Sequence, residues 1–88
     1  MKNTILSFRG CNGKMRKIAE IAGDKTDSEK KADALSEIRK FCEERDYAIY
    51  YIRSWNTVQD EKPMTVFDVG SHTEFFYAEP TIDYIDVW

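Results

Sequence analysis

The sequence is poor in the residue types on which metal sites, most active sites and membrane segments depend. It has one histidine and two cysteines in 88 residues, too few for a tetrahedral zinc site without carboxylates from scattered positions. Cys11 and Cys42 lack CxxC spacing, which predicts reduced thiols rather than a disulfide framework. No apolar run approaches the roughly 20 residues of a membrane helix, and the N-terminus lacks a signal-peptide core. We therefore expect a cytoplasmic protein with no metal, cofactor or membrane contact.

The first half of the chain predicts one strand followed by two helices. Residues 3–9 (NTILSFR) are rich in β-branched and aromatic residues and end at a glycine, which is typical of a strand. Apolar residues at 15, 18, 19 and 22 follow helical spacing between an N-cap residue, Asn12, and a stop at Gly23, which predicts a short helix. Residues 26–29 (TDSE) have the form of a capping box, which predicts a longer second helix. Its apolar stripe consists of Ala34, Leu35, Ile38, Phe41 and Cys42.

From Tyr47 onward the apolar period changes from 3.6 to 2, which predicts strands over 47–55 and 64–69 with a polar loop over 56–63. Gly70-Ser71 fits a two-residue turn into a further strand, with Val66 opposite Phe75. Alternatively, residues 71–74 (SHTE) form a capping box, and 72–79 would then be a short helix. Residues 81–88 are typical of a final strand.

Together these elements predict an α+β fold in the order β-α-α-β-β-β-β. Hydrophobic residues make up 42% and charged residues 33% of the chain, the composition of an ordinary globular domain. Its length supports one modest core. We therefore expect residues 1–88 to form a single domain, an antiparallel sheet of four to five strands with two helices on one face.

The segment 7–17 (SFRGCNGKMRK) contains four cations and no acid. A strand, a glycine-flanked loop and a helix start can bind an anion through backbone amides and the helix dipole. This interpretation makes Arg9, Lys14, Arg16 and Lys17 a candidate site for a phosphate, a nucleotide or RNA. The P-loop pattern is absent, because Met15 follows Lys14 where serine or threonine is required. The simpler alternative is a turn with solvated cations, and a third interpretation is a reactive Cys11.

The remaining candidates for catalysis are weak. His72 lies near Ser71 and Asp68 in the sequence, but neighbours on a tight turn cannot hold a catalytic triad. Cys42 lies on the apolar stripe of the second predicted helix and is expected in the core. We therefore expect the protein not to be an enzyme.

Charge is distributed unevenly along the chain. Residues 1–46 hold eleven Lys/Arg and nine Asp/Glu, whereas residues 47–88 hold two and seven, a balance of −5 within a total of −3. The same acidic half is rich in aromatic residues, more than one small core can bury. Exposed aromatics rimmed by acids suit a basic protein surface and disfavour nucleic acid. The candidate partner-binding residues are Tyr51, Trp55, Asp68, Glu74, Phe76, Glu79, Asp83 and Asp86.

These patterns lead to two functional hypotheses. The first is a small regulatory or inhibitory protein whose acidic, aromatic sheet docks on a basic protein site. In one version of this hypothesis it is a nucleic-acid mimic of the kind that phages and mobile elements encode. The second is a phosphate, nucleotide or RNA binder that uses the basic segment near Gly10. A homodimer is a further expectation, and one that buries the exposed aromatic residues would count against the first hypothesis.

Overall fold

The computed structural model describes residues 2–10, 13–70 and 74–82, and within these it leaves out the side chains of Gln59 and Glu74. The fold is α+β, with one antiparallel five-stranded sheet and, among the described residues, a single helix. The sheet order is β2-β1-β5-β4-β3, so the first and last described strands are neighbours inside the sheet. The elements are β1 (Thr4–Arg9), β2 (Met15–Ile21), α1 (Asp27–Glu44), β3 (Ile52–Gln59), β4 (Lys62–Val69) and β5 (Glu74–Glu79).

The prediction of a first helix over 12–22 is wrong, because residues Met15–Ile21 form β2. β2 pairs antiparallel with β1, and the register shifts between Leu6 and Ser7. Such a bulge interrupts strict alternation, and Ile18 and Ala19, although adjacent, both pack against the core. Two adjacent inward residues in a strand reproduce the i, i+3, i+4 spacing of a helix. The apolar spacing at 15, 18, 19 and 22 therefore results from a bulged strand and not from a helix.

The longer helix is confirmed as α1, including its capping box. The Thr26 hydroxyl accepts a hydrogen bond from the Glu29 amide (3.2 Å), and the Glu29 carboxylate accepts one from the Thr26 amide (3.0 Å). This backbone hydrogen bond is the main cause that lowers the pKa of Glu29. The predicted stripe packs on the sheet, with Leu35 partly buried and the other four residues buried. No helix in the described part of the chain is long and apolar enough to cross a membrane.

β3 begins and ends later than predicted, and the predicted loop over 56–63 is mostly strand. The connection to β4 consists of Asp60 and Glu61, both with positive φ (52° and 65°), between the paired residues Gln59 and Lys62. Positive φ at both central residues is typical of a type I′ hairpin turn. Pro63 lies within β4, at an end that β5 does not reach, so its missing N–H costs no ladder bond to β5.

The β4–β5 hairpin is present, and the alternative short helix over 72–79 is wrong. Its register differs by two residues from the prediction, because Val66 lies opposite Tyr77 rather than Phe75. A shift of two preserves the face on which each side chain lies. Residues 71–73 of the turn, including His72, lie outside the described residues. So do residues 83–88 of the predicted last strand; before them, the Ile82 amide donates to the Thr65 hydroxyl (2.8 Å).

The core lies between α1 and one face of the sheet. Alternation places Leu6, Phe67 and Phe76 on this inner face, all fully buried. Ile38 and Cys42 cover them from the helix, and both side chains are fully buried. The opposite side, here called the outer face, carries the side chains that alternate with these residues.

Candidate functional site

The basic segment is a hairpin loop between β1 and β2. The Gly10 amide donates to Lys14 O (3.1 Å), the Gly13 amide donates to Gly10 O (2.9 Å), and Gly13 has a φ of +80°. Glycine suits this conformation because it lacks a Cβ. No helix begins here, so the predicted contribution of a helix dipole to anion binding is wrong. Cys11 and Asn12 lie outside the described residues.

Strand alternation separates the four predicted cations onto two faces. Arg16 lies opposite Phe8 on the inner side, whereas Lys17 lies opposite Ser7 on the outer face. Arg9 is also on the outer face, where its Nη1 donates to the Tyr77 hydroxyl (3.4 Å). Lys17 contacts Glu20 (2.7 Å), and this hydrogen bond is the main cause that lowers the pKa of Glu20. Only Lys14 and Arg16 of the predicted set therefore share a site.

These two cations line a groove with a third cation that the sequence analysis missed. Arg45, the C-cap residue of α1, reaches the same groove, which has a volume of about 380 Å³. No carboxylate is among the described lining residues, which are Phe8, Gly10, Lys14, Met15, Arg16, Phe41 and Arg45. We call this the basic groove. Arg45 is 29 or more residues from the other two cations, so only the tertiary fold brings it there.

Two aromatic rings form one wall of the basic groove. The Phe8 and Phe41 ring centroids are 4.6 Å apart, and Phe76 packs behind both at 5.2 and 5.5 Å. The Arg45 guanidinium carbon lies 3.6 Å from the Phe41 ring centroid, and Nη1 donates to Phe41 O (3.4 Å). Stacking holds a guanidinium in place while leaving its N–H edge able to meet an anion.

The outer face carries several of the predicted partner-binding residues. Trp55 and Tyr51 are exposed, at 40% and 43%. Asp68 lies opposite Arg53 in the β3–β4 register, and Glu79 lies opposite Ile5. Arg9, Lys17 and Arg53 thus share this face with the carboxylates of Asp68, Glu79 and Glu20. Among the described residues, the outer face is mixed in charge rather than uniformly acidic.

Tyr51 has a structural role at the edge of this face. A Cβ added to Gly70 would overlap the Tyr51 ring, so the ring lies directly over this glycine. The Arg53 guanidinium stacks on the same ring, with its carbon 4.6 Å from the centroid. Tyr51 therefore covers backbone that would otherwise be open to water, in addition to any role in binding.

The assignment of Phe76 to a partner-binding surface is wrong. The residue is fully buried on the inner face, where it contacts Phe8 and Phe41. Its neighbours in the sequence, Phe75 and Tyr77, point to the outer face instead. The side chain of Glu74 and all of Asp83 and Asp86 lie outside the described part of the chain.

No protein-family model, curated protein or solved structure matches this chain. The basic groove and the outer face are the two surfaces of the described residues that bear on function.

Proposed function

We propose that the protein binds a nucleotide unit, free or within single-stranded RNA, in the basic groove. The observation that carries this proposal is the convergence of Lys14, Arg16 and Arg45, from a loop, a strand and a helix end, on a groove with no lining carboxylate. Arg45 Nη1 also lies 4.0 Å from the carboxylate of Glu44, which is not among the described lining residues. An anion in the groove would be attracted by all three cations. The arrangement occurs in a chain whose net charge is −3.

The groove suits both parts of a nucleotide. Arginine presents a planar fork of donors that matches two phosphate oxygens, and Lys14 adds a third positive charge. Phe8, which is partly exposed beside Arg16, can stack against a base. The described lining contains no carboxylate, histidine or thiol to serve as a general base or nucleophile. We therefore propose binding without catalysis.

Adjacent residues of β2 provide a matched test. Arg16→Glu reverses a charge in the basic groove, and Lys17→Glu makes the same change of charge on the outer face. A fluorescein-labelled single-stranded RNA in anisotropy titrations, and nucleoside triphosphates in isothermal calorimetry, would report affinity. We expect Arg16→Glu to weaken binding at least about tenfold, because a charge-assisted contact is replaced by repulsion. Lys17→Glu should stay within about twofold of the wild type.

The two ligand arms separate the sources of the phosphate. Binding of RNA but not of triphosphates indicates a strand-binding groove, and the reverse indicates a mononucleotide site. Equal losses in the two variants would contradict the proposal, since general attraction by positive charge would then suffice. Absence of binding by the wild type in both arms would also reject it.

A second candidate function is docking on a basic protein surface through the outer face, and the exposure of Tyr51 and Trp55 favours it. Large aromatic side chains are common anchors of protein interfaces, and Asp68 and Glu79 would steer the approach. Phe76 is excluded from this surface by its burial.

Affinity capture followed by direct titration of the purified captured protein tests this candidate. We expect Trp55→Ala to weaken the complex about tenfold or more, and a single-stranded oligonucleotide to compete if the protein mimics nucleic acid. The control is Tyr50→Ala, which removes an exposed aromatic that lies outside β3. Unchanged affinity in Trp55→Ala would rule out this face as the docking surface.

A further inference from the structure

Among the described strands, β2 and β3 are the two edges of the sheet. They differ in how they are protected against pairing with another strand. Edge strand β2 carries three charged residues, Arg16, Lys17 and Glu20, and its pairing with β1 contains a bulge. Charges and bulges are the usual devices that keep edge strands from associating. Edge strand β3 pairs with β4 over eight residues without a register shift, and Arg53 is its one charged residue. β3 has no proline.

The β3 sequence IRSWNTV is self-complementary about its central residue. If two copies pair antiparallel about a two-fold axis at Trp55, this residue faces its own copy. Ile52 then faces Val58 of the other copy, Ser54 faces Asn56, and Arg53 faces Thr57. Apolar residues meet apolar residues, polar residues meet polar residues, and no two like charges are opposite each other. β3 carries a single charge, on Arg53, so it offers little to a partner that would be recognised by opposite charge.

We propose that two copies of this chain associate through β3 in this register, which joins their described five-stranded sheets into one continuous antiparallel sheet. Such an interface is isologous, as in most homodimers. It covers Val58 and Trp55, which are 69% and 40% exposed in the single chain. Directly opposed aromatic residues are among the more favourable cross-strand pairs.

The dimer does not depend on the nucleotide-binding proposal. The basic groove lies at β1, β2 and the end of α1, and β3 is at the opposite edge of the sheet. Two copies joined through β3 would leave both grooves accessible. Loss of dimerisation is therefore expected to leave nucleotide affinity unchanged, and Arg16→Glu is expected to leave dimerisation unchanged.

Sedimentation equilibrium tests the association directly. We expect the wild type to show a concentration-dependent rise toward twice the monomer mass. Trp55→Lys should weaken the association at least about tenfold, because two ammonium groups would be directly opposed. Tyr50→Lys introduces the same charge at an exposed aromatic outside β3 and should associate as the wild type does. A wild type that stays monomeric up to about millimolar concentration overturns the proposal.

Disulfide trapping tests the register and does not depend on the stability of the lysine variant. In a Cys11→Ser background, Trp55→Cys places two thiols opposite each other at a non-hydrogen-bonded position, a separation that a disulfide can span. Thr57→Cys lies on the same face, but its two copies would be about 14 Å apart along the strands. With diamide as oxidant, we expect a covalent dimer from Trp55→Cys alone. Equal cross-linking of both variants, or of neither, overturns this register. A dimer that survives Trp55→Lys would place the interface elsewhere and also overturns it.

Discussion

Replacing Phe76 with alanine is expected to lower the free energy of unfolding by about 3–5 kcal/mol. The ring is fully buried at the centre of the sheet and contacts both Phe8 and Phe41. Truncation removes its buried apolar area and leaves a cavity that neighbouring strands cannot fill without breaking their pairing. Urea denaturation followed by circular dichroism measures the change.

The adjacent residue supplies the control for this prediction. Phe75 is partly exposed and belongs to the outer face, so Phe75→Ala should cost clearly less than Phe76→Ala. If Phe76→Ala fails to fold, Phe76→Leu preserves most of the volume and should remain folded with a loss of roughly 1–1.5 kcal/mol. A loss below about 1 kcal/mol in Phe76→Ala would mean that the ring is not in the core.

Two elements could be predicted from the sequence, because their local signals favour the same structure as their tertiary contacts do. The helix from Asp27 to Glu44 has a capping box at its start and an apolar stripe along its length, and both signals indicate the same structure. The β4–β5 hairpin was also predictable, because the aromatic residues at 75–77 favour a pleated surface over the competing capping box. Its register was not, because two registers that differ by two residues place the same side chains on the same face and so fit the apolar pattern equally well.

The secondary-structure predictions were wrong where tertiary contacts, and not the local sequence pattern, determine the structure. The bulge in the β1–β2 pairing brings Ile18 and Ala19 to the same side, which imitates a helix. The polar residues after Trp55 resemble a loop, but they pair with β4, and the Asn56 side chain accepts a hydrogen bond from the buried Thr65 hydroxyl (2.7 Å).

The full set of residues of the basic groove could not be predicted from the sequence for the same reason. Taking 12–22 as a helix placed Arg16 and Lys17 in one cluster, whereas strand alternation sends them to opposite faces. Arg45 had no local signal at all. It belongs to the basic groove because α1 ends beside the β1–β2 hairpin.

Removing two groove cations together is expected to weaken binding of a single-stranded oligonucleotide by at least about a hundredfold, since each charged hydrogen bond contributes roughly 1.5–3 kcal/mol. The variant is Arg16→Gln combined with Arg45→Gln, which avoids placing an acid at the helix C-terminus. The matched control is Arg9→Gln combined with Lys17→Gln, which removes the same charge from the outer face. Anisotropy titrations at one fixed salt concentration compare the three proteins.

The salt dependence of the same titrations tests whether the groove cations contact phosphates. Each phosphate neutralised on a single strand releases counterions, so the slope of log K against log salt is about −0.7 per contact. Three cations predict a slope near −2 for the wild type and the outer-face control, and near −0.7 for the groove variant. A groove variant that binds more weakly but keeps the wild-type slope would show that its arginines act by packing on Phe41 and Phe8. Phosphate recognition in the basic groove would then be rejected even though affinity had fallen.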